Sequence, residues 1–252
     1  MCVLLGLMIP FLGTALGSAM VFFIKNKMSS GLQKLLLGFA SGVMIAASVW
    51  SLLIPAIERA EEAGQLGWIP AAGGFALGVA FLLVLHNVIP HLHPGERDPE
   101  GLPSRWERPT LLFTAVTLHN IPEGMSIGAG FAIQDDGAVS MGLMLAVLIG
   151  LHNIPEGMAV TVPLVAGGMG RAKAILLTAC SGLPMLIGAW LGVWLGDIGP
   201  LGLCCSLGFA SGAMLYVVFG EIIPQSILMY RSRVPAILVV VGMLIGMCLI
   251  YL

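Results

Sequence analysis

The amino-acid sequence predicts an all-α integral membrane protein with eight transmembrane helices. Three observations predict it: a composition that cannot cover a water-facing surface, eight apolar runs of bilayer length, and positive charge that alternates between connections. Of the 252 residues, 58% are hydrophobic and only 10% are charged, where soluble domains carry roughly 25% charged residues. The 34 glycines suit a membrane bundle, in which small residues let helix backbones approach closely. A net charge of -2 offers no basic face to nucleic acid, so the partner implied by composition is the lipid bilayer. Cys2, Cys180, Cys204, Cys205 and Cys248 lie in apolar stretches without a CxxC spacing. They read as small buried hydrophobes, not disulfides.

A bilayer core takes about 20 apolar residues per helix. Runs of this kind cover about 2–24, 35–57, 68–89, 109–133, 138–165, 172–195, 200–227 and 234–252, in one transmembrane domain spanning 1–252. The first run has no basic residue before it and exceeds the roughly 7–15 apolar residues of a signal peptide. It reads as a membrane helix. Connections are short except for the polar stretch at about 91–108.

Charge tests this parse independently. Lys25, Lys27 and Lys34 flank the first connection; Arg97, Arg105 and Arg108 fall in the third; Arg171 and Lys173 in the fifth; Arg231 and Arg233 in the seventh. Ten of the eleven basic residues thus lie on odd connections, and only Arg59 on an even one. The positive-inside rule then predicts cytoplasmic odd connections, the 91–108 loop included, and both termini outside.

Two repeats follow. His119-Asn120-Ile121-Pro122-Glu123-Gly124-Met125 recurs as His152-Asn153-Ile154-Pro155-Glu156-Gly157-Met158, and Leu37-Gly38-Phe39-Ala40-Ser41-Gly42 recurs as Leu207-Gly208-Phe209-Ala210-Ser211-Gly212. The copies join predicted helices four and five, and two and seven. Each separation is odd, so the copies cross the membrane in opposite directions, as inverted repeats of secondary transporters do.

Helix four starts near Pro109, which puts His119 roughly 15 Å deep, at half the hydrocarbon thickness. His152 reaches a similar depth from the other side. Within each motif His and Glu are four apart and share a helix face, so His119, Glu123, His152 and Glu156 are predicted to converge. Imidazole nitrogen with carboxylate oxygen suits zinc and its first-row neighbours. Pro122 and Pro155 release the carbonyls of Leu118 and Leu151 from their usual bonds, while Asn120 and Asn153 would orient a ligand or add an oxygen. Interhelical hydrogen bonding explains a lone membrane Asn or His equally well. It does not explain two midplane carboxylates with no intramembrane Lys or Arg, because an unpaired charge there costs at least a few kcal/mol.

Paired HNxPEG motifs on the fourth and fifth of eight helices resemble the ZIP family of metal-ion transporters, in its bacterial, broad-specificity branch. The likeness extends to the LGFASG repeats and to Pro90-His91-Leu92-His93-Pro94. It implies an inverted 3+2+3 arrangement about helices four and five, elevator-like alternating access, often a homodimer, and residence in the plasma (bacterial inner) membrane. It also implies uptake of zinc, and often iron, manganese, cobalt or cadmium, into the cytoplasm through ligands that carry over as His119, Glu123, His152 and Glu156. The chain departs from the pattern in several places. Ser181-Gly182-Leu183-Pro184-Met185 lacks the acid that helps bind a second metal in relatives, and Asn153 replaces an Asp. Gly220-Glu221 stands for a His-Glu pair, and His86 for an acid. One metal per protomer is therefore expected.

His86 and Glu221 both fall toward the cytoplasmic ends of their helices and are expected to form an exit route, against the alternative of a capped helix end and a snorkelling acid. His91 and His93 would gather metal in the cytoplasmic loop, or simply be solvated. Asp135 and Asp136 read as a polar outer turn. An intramembrane metalloenzyme is the competing class, but the chain has no HExxH and no clustered His boxes. A transporter, not an enzyme, is the expectation.

Overall fold

A computed structural model describes residues 2–23, 30–64, 66, 68–93, 98–133, 140–228 and 233–251. The described residues are helical apart from connections and one isolated antiparallel bridge, His91 to Glu100. In order they form α1 (Cys2–Ala19), α2 (Ser30–Ala46), α3 (Ile54–Glu62), α4 (Trp68–Val88), α5 (Arg108–Ala132), α6 (Met141–Ala166), α7 (Arg171–Cys180), α8 (Pro184–Ile198), α9 (Pro200–Val217), α10 (Ile223–Leu228) and α11 (Val234–Ile250). Asp135, Asp136, Lys25, Lys27, Arg97 and Arg231 lie outside the described residues.

Several of these segments are halves of longer rods. A π-helical turn, Ala47–Leu53, joins α2 to α3, and another, Val218–Ile222, joins α9 to α10. Proline explains both. Pro55 and Pro224 lack an N–H and crowd the carbonyl four residues back, which is that of Ser51 and of Gly220, each inside the widened turn. Helices α7 and α8 are separated by the turn Ser181–Leu183, where Pro184 starts the new helix. The single run expected over 172–195 is thus broken. By contrast α5 and α6 remain helical through Pro122 and Pro155.

Among the described residues, six helical rods are long and apolar enough to cross a membrane: Val3–Phe22, Leu35–Glu62, Trp68–Val88, Met141–Ala166, Arg171–Ile198 and Pro200–Ile222. The other two expected spans are present as helices but fall short of that standard. Helix α5 has 25 residues diluted by its polar motif, and α11 has only 17 residues.

The most extensive packing pairs α5 with α8, α1 with α6, α4 with α9, and α2 with α11. Glycine makes these approaches possible. A Cβ on Gly188 of α8 would fall on the Ile121 carbonyl, and one on Gly124 of α5 on the Met185 carbonyl, so these backbones touch directly. Around the antiparallel α5 and α6 the two ends differ. On one side of the motifs, Ile127 of α5 and Leu145, Leu148 and Ile149 of α6 join Met44 and Met214 in a buried apolar plug. On the other, beside Ala115, Val116, Ala159 and Val160, a small cavity opens.

Candidate metal centre

The cavity is lined by Glu123, His152 and Glu156, and by His119, His93 and Glu221. Each repeat delivers its glutamate from mid-helix, where the i, i+4 spacing sets it on the same face as its histidine. One ligand atom from each of Glu123, His152 and Glu156 falls within 4.8 Å of the others, and His152 Nε2 lies 3.6 Å from Glu123 Oε1. Both Glu123 oxygens and Glu156 Oε2 are buried without a hydrogen-bond partner. Buried polar groups are ordinarily satisfied. Converging lone pairs that are not satisfied are what a cation would satisfy.

His119 turns to a different carboxylate. Its Nε2 is 3.1 Å from Glu221 Oε2, and His86 Nδ1 and His93 Nδ1 approach the same carboxylate at 3.1 and 2.9 Å. Neither Glu221 oxygen has a partner in hydrogen-bond alignment, so these too are donors grouped about a point. The π-helical turn explains how Glu221 arrives there, since a widened turn re-aims the side chains it carries. Two further groups with ligand atoms within 4.8 Å result: His86, His119 and Glu221, and His86, His91 and His93.

The structure therefore brings Glu123, His152 and Glu156 together as expected, and His86 together with Glu221. It places the fourth expected ligand, His119, in the same cavity but one cluster along. Asn120 is engaged elsewhere: its Nδ2 donates to the carbonyls of Val116 and Ser181, tying α5 to the break between α7 and α8. Asn153 Nδ2 donates to the Pro10 carbonyl at 3.5 Å. Each keeps a buried, unpartnered Oδ1.

The solvated-loop alternative for His91 and His93 does not hold. They are 0% and 3% exposed, because the loop folds back under the bundle, with Leu92 N donating to the Leu111 carbonyl. Burial pushes the His91 pKa down, which favours the neutral, ligating imidazole. Reasoning from sequence missed Glu100, which the bridge to His91 brings to this cluster; it is one of several acids in a polar loop, with no spacing that singles it out. The Met185 side chain belongs to the apolar core and lines a recess with Leu4, Leu7 and Phe11 of α1.

Comparison with known proteins bears on this arrangement. The family model described as ZIP zinc transporter matches residues 104–252. Zinc transporter ZIP11 of Homo sapiens is 31% identical, over 98% of this chain and 95% of its own length. Zinc transporter GufA of Myxococcus xanthus is 35% identical over 85% of each chain. Zinc transporter ZIPB of Bordetella bronchiseptica is 38% identical over 86% of this chain and 70% of its own. With its apolar rods, this makes the chain a membrane protein, and its relatives are named transporters, not enzymes. A family match over more than half the chain, with similarity along nearly all of it, establishes that the chain belongs to the ZIP zinc transporter family.

Proposed function

We propose that the chain carries a divalent transition metal, zinc foremost, across the plasma membrane into the cytoplasm by alternating access. One observation carries this reading. All five histidines of the chain, with Glu123, Glu156 and Glu221, fall into three adjoining clusters inside an otherwise apolar bundle. Mixed nitrogen and oxygen donors suit zinc, and the relatives are named zinc transporters. Iron, manganese, cobalt and cadmium are the further substrates to be tested.

Glu123, His152 and Glu156 form the transport site for one metal per protomer, with the Asn120 and Asn153 oxygens as weaker donors. His119 passes the ion to Glu221, and His86, His93 and His91 lead it out. The plug on one side of the motifs and the cavity on the other support an inward-facing state, if the Arg108 side is cytoplasmic and both termini are outside. Eight crossings in a 3+2+3 inverted arrangement are supported by matched packing: α1 on α6 has its counterpart in α8 on α5, and α2 on α11 in α9 on α4. The functional unit is proposed to be a homodimer.

The test is purified protein in liposomes loaded with a metal-sensitive dye. External Zn2+ should enter without any other substrate, and the competing metals should reduce its rate according to preference. Liposomes no more permeable to any of these metals than protein-free ones would sink the reading.

A further inference from the structure

We infer that Thr161, Thr178 and Ser181 are positioning residues for the transport site. They form a buried hydrogen-bond relay from Asn120 on α5 to Thr161 on α6, which fixes how the two motif helices stand to each other. This rests on the transport reading above and adds residues that bind no metal themselves. The relay starts inside a motif. Asn120 Nδ2 donates to the Val116 carbonyl at 3.0 Å and to the Ser181 carbonyl at 2.9 Å. Carbonyls only accept, so both amide hydrogens are spent and the side chain cannot be turned end for end. Its Oδ1 is thereby held away from both carbonyls, buried and without a partner.

The break between α7 and α8 supplies the acceptor. Met185 N donates to the Gly182 carbonyl at 3.1 Å, where a continuous helix would have it donate to Ser181. The Ser181 carbonyl is left for Asn120. Ser181 is held in turn. Its Oγ donates to the Thr178 carbonyl at 2.6 Å, and its N–H to the carbonyls of Leu177 and Thr178 at 3.2 Å each. Thr178 Oγ1 then shares a 2.8 Å hydrogen bond with Thr161 Oγ1. All four residues are at most 1% exposed, so solvent does not compete for these bonds. Asn120 lies between His119 and Glu123, and Thr161 stands five residues beyond Glu156. Breaking the relay therefore lets His152 and Glu156 shift against Glu123. Metal ligand sets tolerate displacements of only about 0.5 Å, and groups that orient ligands from behind are typically worth about 10- to 100-fold in metal affinity.

The test is Zn2+ titration, with Mn2+ in competition, on the purified full chain, its stability followed alongside. Thr178→Val keeps the side-chain shape, removes the hydroxyl and should weaken Zn2+ binding about tenfold. It should also lower the preference for Zn2+ over Mn2+, because displaced ligands no longer close the tetrahedron that zinc favours. Thr178→Ser keeps the hydroxyl and should restore both. Thr161→Val breaks the same bond from the α6 end and should reproduce the loss, and the double Val variant should lose no more than either single one. A pair that merely fastens the fold would lower the stability of both Val variants and leave Zn2+ affinity and metal preference at wild-type values. That result overturns the inference. Glu156→Ala run in parallel separates the two failures. If it still transports, the proposed transport site is wrong; if it is inactive while both Val variants bind Zn2+ as wild type does, only the positioning role is.

Discussion

Substituting Gly188→Ala should loosen the pairing of α8 with α5 and spoil the metal site without touching a ligand. The added Cβ would overlap the Ile121 carbonyl oxygen, lie 2.8 Å from Met125 N and lie 3.0 Å from the Ile121 carbonyl carbon. Ordinary van der Waals contact needs about 3.5–4.0 Å, so the backbones must part by about 1 Å. Overpacking of this kind costs about 1–3 kcal/mol. Ile121 stands two residues before Glu123, and ligand sets tolerate displacements of only about 0.5 Å, so Zn2+ affinity should fall with stability. Denaturant titration in micelles, paired with Zn2+ titration, reads both effects. Gly73→Ala on α4 is the control: nothing lies within 4 Å of its Cβ position, and the better helix former should be neutral or gain up to about 1 kcal/mol. A Gly188→Ala protein as stable and as tight for Zn2+ as wild type would refute direct backbone contact between these helices.

Three other outcomes are expected. Glu221→Ala should slow Zn2+ turnover more than it weakens binding, because its carboxylate serves the cluster after the transport site; rates and apparent affinities from liposome uptake check this. Binding should weaken as pH falls, since protons compete for the same imidazole and carboxylate lone pairs, and Zn2+ titration across acid to neutral pH follows it. Met185→Glu should bind no additional metal and should destabilise the fold. It would put a charge into an apolar recess, as stoichiometry and denaturation of the variant would show.

The long helices, the two repeats and the glutamates of the proposed transport site were legible because they rest on periodicity and on identical letters. The four-residue spacing of each motif was enough to set Glu123 and Glu156 on the faces of their histidines. His119 could not be assigned a partner that way. Four residues of helix separate it from Glu123 by about 6 Å along the axis, enough for the ring to reach Glu221 while the carboxylate reaches His152. Nor is a π-helical turn visible in hydrophobic pattern, although Pro55 and Pro224 mark where each one ends. The burial of His91 and His93 escaped for another reason. Their segment is polar and short, and what folds it inward is backbone pairing with Glu100 and Leu111, which leaves no periodic trace.

Zn2+ uptake by Glu156→Ala, measured beside wild type in liposomes at equal protein content, tests the central claim most directly. The substitution removes one of two carboxylates from the proposed transport site, and neither His119 nor the asparagine oxygens can restore its charge. The variant should be a folded protein, eluting and unfolding as wild type does, with uptake at the level of empty liposomes. Uptake by Glu156→Ala at the wild-type rate would contradict it.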